Sequence, residues 1–416
     1  MSDALPFPTP GPRPLDGYRV LDLASILAGP VGATLFAEFG AEVIKVEMPG
    51  RGDILRTSAP GKDGVGFTWL TEGRNKKSIT LDLRRPQGQA ILKRLVGVSD
   101  VVFENFRPGT LERWNVGWED LRQVNPSLIM VRVSGYGQTG PYHERAGYDR
   151  IGMGFAGAAN LIGFPDRPPL RPGPSLCDYS TALFGAFGGV LALLFRERRP
   201  DRPGQFIDVA LYESMFRFLE WTLPAYSVTG QVRERTGNFI LAAVPGDNFL
   251  TRDGKWVSIA CVGDRVFALC AQAIGRPEWA TDPRYQRQAE RIKNRADVDS
   301  YVTEWVASHT QAEVLAVLEE HGVPAGPVYR IDEIAADPHY AARENIVRYE
   351  HPRVGPVLDP LGLTLITRVG RPLGPADRLG AEGEDAIADA GDRDPLPVPG
   401  QEVVARDRRQ DEVAGS

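Results

Sequence analysis

An open, doubly wound α/β sheet, followed by a smaller α+β unit, is the fold class this sequence predicts, on three observations. Short apolar strands alternate with helix-length segments through the first 210 residues. The first strand runs straight into a glycine-containing turn. Near residue 226 the alternation stops, and a hairpin followed by helices takes over.

The elements follow in order. The opening residues, MSDALPFPTPGPRP, are proline-rich and read as an irregular arm. Residues 18–25 (YRVLDLAS) form a strand, 28–32 (AGPVG) a turn, 33–40 (ATLFAEFG) a helix and 41–47 (AEVIKVE) a second strand. Their apolar runs suit a parallel sheet covered on both faces. Further strands are expected at 78–83 (SITLDL), 100–104 (DVVFE) and 128–133 (LIMVRV), with helices at 86–98 and 118–124 between them. Residues 135–177 are rich in Gly and Pro with little periodicity, and so long a loop in a compact domain is usually functional. A long apolar helix at 179–196 follows, then QFIDV (205–209) leading into the helix LYESMFRFLEW.

Beyond residue 226, Phe249–Leu250 and residues 256–260 flank a TRDG turn and read as a hairpin. Helices are expected at 264–274, 287–308 and 310–321, and GVPAGPVYRIDEIAADPH (322–339) reads as a return crossing. The expected organisation is a large unit over 1–225, a small one over 226–329, a return segment over 330–391 and a flexible tail over 392–416.

Composition narrows the function. With 48 basic and 54 acidic residues the formal charge is −6, which argues against a general nucleic-acid or membrane surface. Three cysteines (Cys177, Cys261, Cys270) have no paired spacing, so a reducing cytoplasm is expected rather than a disulfide framework. The N-terminus lacks the pattern of a signal peptide. The apolar run 181–195 is short for a membrane span and carries three glycines, so it is read as a buried helix. The five histidines are scattered without metal-ligand spacing, and no GxSxG elbow occurs.

Several residues carry candidate chemistry. Gly29, Pro30, Val31 and Gly32, with Glu47 one βαβ step later, partly match a dinucleotide fingerprint, although the third glycine is missing and Pro30 occupies the turn. A Gly-rich first turn serves packing in many parallel sheets, and that reading is preferred. Arg51, Arg74, Lys76, Lys77, Arg84, Arg107, Arg113 and Arg145 are candidates for an anionic cofactor, because several follow strand ends where such sheets open their crevice. Asp178 precedes the long apolar helix and reads as its N-cap. A carboxylate there is pulled two ways, since the helix N-terminus favours its charge and burial opposes it, which suits a carboxylate nucleophile. Cys177 reads as an inert buried thiol.

Together these segments resemble the class III CoA-transferases, the family of formyl-CoA transferase and carnitine CoA-transferase (CaiB/BaiF-like). The resemblance runs from about Leu15 to about Ile387. It is carried by LDGYRVLDLASILAGPVGATLFAEFGAEVIKVE, GRNKKSITLDLRRPQG, ENFRPG with SGYGQTGPY, the pattern D-x-x-T-A-x-x-G at Asp178, and GVPAGPV.

The resemblance implies a Rossmann-like large domain built from both chain ends, a smaller inserted α+β domain, and two chains interlocked as a homodimer. It implies that Asp178 attacks an acyl-CoA thioester, giving an aspartyl mixed anhydride and then an aspartyl-CoA thioester. No tightly bound cofactor is implied; coenzyme A and acyl-CoA are substrates. Contacts to CoA carry over to Ile26, Leu27 and Ala28, to Leu81 and Arg84, to Asn105, Phe106 and Arg107, to Arg113, and to Arg145 and Tyr148.

Departures from formyl-CoA transferases are also present. Leu27 replaces a glutamine, Met48 replaces an arginine that faces adenine (a place Arg51 is considered to fill), and the glycine-run lid has no counterpart. Oxalate and formate are therefore poor candidates. The acceptor is open among a small dicarboxylate such as malate, succinate or mesaconate, a betaine and an aromatic acid. A dicarboxylate is mildly favoured by Arg145, Arg150, Arg233 and Arg235. The alternative is a 2-methylacyl-CoA racemase of the same superfamily, which places a histidine where this chain has Tyr148. A nicotinamide-dependent dehydrogenase and a non-catalytic CoA-binding paralogue are the remaining readings.

Overall fold

A computed structural model describes residues 13–360, all of which fall within one compact unit. Six strands form its main sheet: β1 (Arg19–Asp22), β2 (Glu42–Glu47), β3 (Lys76–Thr80), β4 (Val101–Glu104), β5 (Ile129–Ser134) and β6 (Gln205–Ala210). All neighbours pair parallel, in the order β3-β2-β1-β4-β5-β6. The order reverses between β1 and β4, so the crevice at the carboxyl ends of these two strands is where a doubly wound sheet binds ligands. Every residue of β4 and β5 is buried.

Helices cover both faces. On one side lie α1 (Ala28–Glu38) and the long α6 (Leu176–Glu197), sharing a core with Phe36, Phe103, Val131 and Leu193. On the other lie α3 (Pro86–Val96) and α4 (Trp118–Val124), closing a core around Leu21, Leu92, Val102 and Met130. Between these come α2 (Phe67–Glu72) and α5 (Asp149–Phe155). Helix α1 can sit this close because Gly32 has no side chain; a Cβ there would lie 2.8 Å from the Phe103 ring. The glycine turn expected at 28–32 is therefore the first turn of α1 itself. The strand expected at 78–83 is shifted, pairing with β2 only over Lys76–Thr80.

By length and composition α6 could cross a membrane. It packs on α1, β5, β6 and α7 (Leu211–Arg217), yet its opposite face leaves Leu183, Phe187, Val190, Leu191 and Leu194 at least 40% exposed. The buried helix expected there is thus buried along one face only.

A second core lies within residues 244–323. Its antiparallel strands β7 (Ala243–Leu250), β8 (Trp256–Val262) and β9 (Ala325–Pro327) pair in the order β9-β8-β7. They are packed by α8 (Gly263–Ala273), α9 (Arg295–Ala307) and α10 (Gln311–Glu320), the last held by a Thr310–Glu313 capping box. The single helix expected over 287–308 is broken at Asn294, which ends a short helix (Gln288–Lys293) and starts α9. The hairpin β10 (Ile346–His351) and β11 (Gly355–Pro360) then returns to the first half, where Asp359 pairs with Arg74 and Thr71. The tail expected over 392–416 lies outside the described residues.

Candidate active site

The crevice at the switch point is floored by a polar cluster at the end of β1. Asp22 is fully buried there with Lys76 Nζ at 2.9 Å and Lys45 Nζ at 3.4 Å. Burial alone would raise the Asp22 carboxyl, but the two ammonium groups outweigh it and hold it below the usual range. The lysines also donate to the carbonyls of Ala24 and Pro30, and Asp22 accepts from the Ala24 N–H. The loop from β1 to α1 is thus fixed at both ends. Lys76 is committed to this structural role and is not free to hold a phosphate.

Within that loop Ile26 has φ 68°, a left-handed conformation that a β-branched residue adopts only under constraint. The constraint is Asn105, at the end of β4. Its Oδ1 accepts from Ser25 N–H at 2.8 Å and its Nδ2 donates to the Ser25 carbonyl at 2.7 Å. This pair bridges the two loops across the crevice. Leu27, at the N-cap of α1, offers no capping side chain, so the first amides of α1 remain available to an anionic group.

Behind these loops is a cleft of about 190 Å³ lined by Ile26, Leu27, Ala28, Asn105, Phe106, Arg107, Arg145, Tyr148 and Asp178. Nine of the residues singled out from the sequence therefore meet in one place. A neighbouring pocket of about 120 Å³ shares Ser25 and Phe106 with it and is lined by Leu81, Met48 and Trp114. Arg84 lies at the edge of this second pocket, forked onto Asp82 with its Nη2 3.5 Å from the Met48 sulfur. Arg113 bonds the Thr110 hydroxyl, and neither arginine lines either cavity. Arg51 does not line the pocket beside Met48, whereas Arg84 approaches that thioether directly.

Other candidate cations are engaged elsewhere: Arg74 with Glu38 and Asp359, Lys77 with Glu42, Arg233 with Glu220, and Arg235 with carbonyls of Asn160, Phe164 and Arg167. Arg150 does not line the cleft. Glu47, the acid a dinucleotide fingerprint would aim at a ribose, is fully occupied. Burial would raise its carboxyl, but Arg56, Ser78 and the Asp53 N–H hold it at about 2. That arrangement removes the basis for the nicotinamide reading.

The long loop after β5 is closed at its neck by Gly135 and Gly147, where a Cβ on Gly135 would lie 2.7 Å from the Gly147 Cα. Above the neck, Arg145 stacks 3.7 Å over the Tyr142 ring, and Tyr136, Tyr142, Phe155 and Tyr212 pack edge to face. Immediately below it, Tyr148 enters the cleft with 65% of its surface exposed, and Asp149 begins α5.

Asp178 is in the first turn of α6, not at its N-cap as its sequence position indicates; Ser175 holds the cap position and makes no side-chain capping bond. The capping acceptor comes from 29 residues upstream. Asp149 Oδ1 accepts the Cys177 N–H at 2.9 Å and the Asp178 N–H at 3.3 Å. Sequence spacing carried no signal for this residue. Burial first, then the Asp149 charge, raises the Asp178 carboxyl to about 7, with Arg171 acting in the opposite direction. Burial likewise pushes the Cys177 thiol to about 12, and its Sγ contacts the Leu211 carbonyl at 3.1 Å, so this sulfur is inert. Next along the helix, Tyr179 donates to Glu72 on α2 at 2.9 Å. Among the described residues no His, Cys, Asp and Glu cluster has the arrangement of a metal site.

The model for CoA-transferase family III matches residues 15–369. The succinyl-CoA–D-citramalate CoA-transferase of Chloroflexus aurantiacus is 46% identical over 347 residues, 83% of this chain and 86% of that protein. The beta subunit of succinyl-CoA–L-malate CoA-transferase from the same organism is 47% identical over 348 residues, covering 83% and 85%. A CAIB/BAIF family protein from Brucella suis superposes with TM-score 0.74 at 32% identity, covering 90% of this chain and all of that one. The chain belongs to CoA-transferase family III and is an acyl-CoA:carboxylate CoA-transferase.

Proposed function

We propose that this enzyme moves CoA from succinyl-CoA to a small dicarboxylic acid of the malate or citramalate type, with Asp178 as nucleophile. The observation that carries the reading is the placement of the Asp178 carboxyl in the wall of a cleft at the switch point, beside Tyr148, Arg107 and Arg145. Substrate class is supported by relatives at 46–47% identity that act on succinyl-CoA with citramalate or malate. The adjoining pocket at Met48 and Leu81 offers a place for the nucleotide end of CoA.

In the forward half-reaction an Asp178 oxygen attacks the thioester carbonyl and CoA thiolate leaves, giving a mixed anhydride. The thiolate then attacks the aspartyl carbonyl of that anhydride and expels succinate, leaving Asp178 as a neutral CoA thioester. The acceptor carboxylate runs the sequence in reverse. Two moderate steps replace one difficult exchange. The first amides of α1 and the cations of the cleft supply the positive potential these oxyanions need. Tyr148, where a racemase carries a histidine base, supports transfer over epimerisation.

The test is an acceptor screen with succinyl-CoA, reading the CoA thioesters by mass spectrometry. Malate- or citramalate-dependent consumption is expected. Deuterium uptake at C2 of a branched acyl-CoA, without any acceptor, would instead establish the isomerase.

The active form is an interlocked dimer in this reading, with the small domain over 226–329 and the large one taken over 1–225 and 330–391, of which 1–12 and 361–391 lie outside the described residues. Support comes from the exposed apolar face of α6, an apolar groove of about 440 Å³ beside it (Leu35, Phe184, Phe187, Phe218), and the separate core within 244–323. Light scattering at micromolar concentration should give twice the chain mass. A related second subunit is the other arrangement to look for, given that the malate relative is a beta subunit.

A further inference from the structure

At the start of α6 the Asp149 carboxylate reaches the backbone amide of Asp178, and only Asp178 is required to react. Asp149 is 7% exposed, its Oδ1 accepts the amides of Cys177 and Asp178, and its Oδ2 is buried with no hydrogen-bond partner. The nearest cation is Arg171, whose Nε stands 3.9 Å from Oδ2, beyond hydrogen-bonding distance. Arg171 instead donates to the Gly173 carbonyl at 3.0 Å and is 41% exposed along its side chain. A buried acceptor left half satisfied beside the reacting group is costly for a cap that a serine or threonine hydroxyl would fill as well.

We infer that Asp149 is a positioning residue whose charge drives Asp178 toward its acylated forms. The step that matters is charge-balanced: the enzyme carboxylate plus an acyl-CoA becomes a neutral aspartyl-CoA thioester plus a free carboxylate. The negative charge departs with the released acid. While Asp178 is ionised it stands against Asp149 in a poorly solvated corner, and once it is acylated that repulsion is gone. Free enzyme is thus raised relative to the covalent intermediates, while the two amide bonds from Asp149 keep the Asp178 backbone in place. Arg171 limits the effect by partly neutralising the pair.

The other groups around Asp178 do not supply this charge. Cys177 holds its proton, and Tyr179 is a phenol that donates to Glu72 on α2, a carboxyl that is not among the charges acting on Asp178. On the cleft side stand Tyr148, Arg107 and Arg145, none of which carries a negative charge. The upward displacement of the Asp178 carboxyl, with Asp149 second only to burial among its causes, is consistent with the geometry.

The inference rests on Asp178 being the nucleophile, and the experiment separates the two. Asp149→Asn keeps an acceptor for both amides and removes the charge. Arg171→Gln, in an exposed loop, removes the opposing charge and leaves both amide bonds to Asp149 in place, giving up only contacts to the Gly173 carbonyl and, at 3.5 Å, the Ser175 hydroxyl. Three readouts are taken on each full-length variant: the acid limb of kcat/KM against pH, the fraction of enzyme carrying a CoA thioester in intact-protein mass spectra with acyl-CoA present, and thermal melting. Asp149→Asn should move the acid limb down by about one pH unit and lower the thioester-to-free ratio by about tenfold. Arg171→Gln should move both in the opposite direction. A purely structural cap would lower the melting temperature and leave the acid limb in place. If Asp149→Asn does not fold, Arg171→Gln alone decides: an acid limb and thioester fraction identical to wild type overturn the inference. Exchange retained by Asp178→Ala would overturn the underlying reading instead.

Discussion

Alanine at position 105 removes both hydrogen bonds that tie the β4 loop to Ser25, at 2.8 and 2.7 Å. Each is a neutral bond worth about 1 kcal/mol net, so the pair contributes about 2 kcal/mol. Opposing it is Ile26 at φ 68°, a conformation that costs about 1–2 kcal/mol in a residue with a Cβ. Wild type therefore keeps the strained loop by a narrow margin, and loss of the tie lets the loop relax. A swing of about 2 kcal/mol lowers the binding-competent fraction by about 30-fold at most, and apparent affinity for acyl-CoA falls by the same factor. Steady-state kinetics should show KM for acyl-CoA rising about 10–30-fold while kcat changes far less. Thermal stability should fall by less than two lost hydrogen bonds imply, because the relaxing loop recovers the Ile26 strain. Adding Ile26→Gly should restore part of the affinity, since glycine enters the left-handed region without that cost. An unchanged KM and CoA affinity in folded Asn105→Ala, or a loss confined to kcat, would refute the coupling between staple and strain.

Three further outcomes follow from the same geometry. Because burial and Asp149 hold Asp178 at about 7, kcat/KM should fall as pH drops through that value, and a wild-type profile flat from pH 8 to pH 5 contradicts an ionised Asp178 nucleophile. Glu47 is held at about 2 against 4.5 when unfolded, so its contribution to stability is complete above the higher value and is lost as pH falls toward the lower. Glu47→Gln should accordingly flatten the pH dependence of the melting temperature in that window. Gly32→Ala places a Cβ 2.8 Å from the Phe103 ring and should destabilise the fold by about 1–3 kcal/mol in urea titration, with no change in the slope of the transition.

The sheet was legible in the sequence because its evidence is local: strands of the sheet interior read as short apolar runs, and helix-length segments recur between them. Element ends were less legible. The third strand starts two residues earlier than the apolar pattern, at the charged pair Lys76 and Lys77, and its ladder with β2 ends at Thr80 although the apolar alternation runs on through residue 83. The break at Asn294 has a local signal, a poor helix former in mid-helix, but no composition change around it.

The site divided along the same line. Asp178, Asn105, Tyr148 and Arg145 were recovered through family motifs and do meet in one cleft. Lys76 and Glu47 looked like ligand groups because their partners, Asp22 and Arg56, are tertiary neighbours that no spacing rule links to them. Asp149 was missed for the same reason. A cap supplied across 29 residues has no local signature, and it left Asp178 to be read as its own cap.

The glycine neck under the aromatic loop has a consequence for how this scaffold changes its substrate. Gly135 and Gly147 pass so closely that neither has space for a side chain, and their contact fixes where the chain leaves β5 and where it re-enters at Tyr148. The eleven residues between them, 136–146, form a loop that is tied back to the body where the Gln138 N–H donates to Asp208 and Tyr136 packs on Phe155. Its exposed positions, such as Thr139, Pro141 and Glu144, can change without moving Tyr148 and Asp178 below, whereas Arg145 lines the cleft and Tyr136 packs on Phe155 and Tyr212. Exchange of residues 136–146 between relatives, with both glycines kept, is thus the graft by which acceptor preference should travel from one enzyme to another.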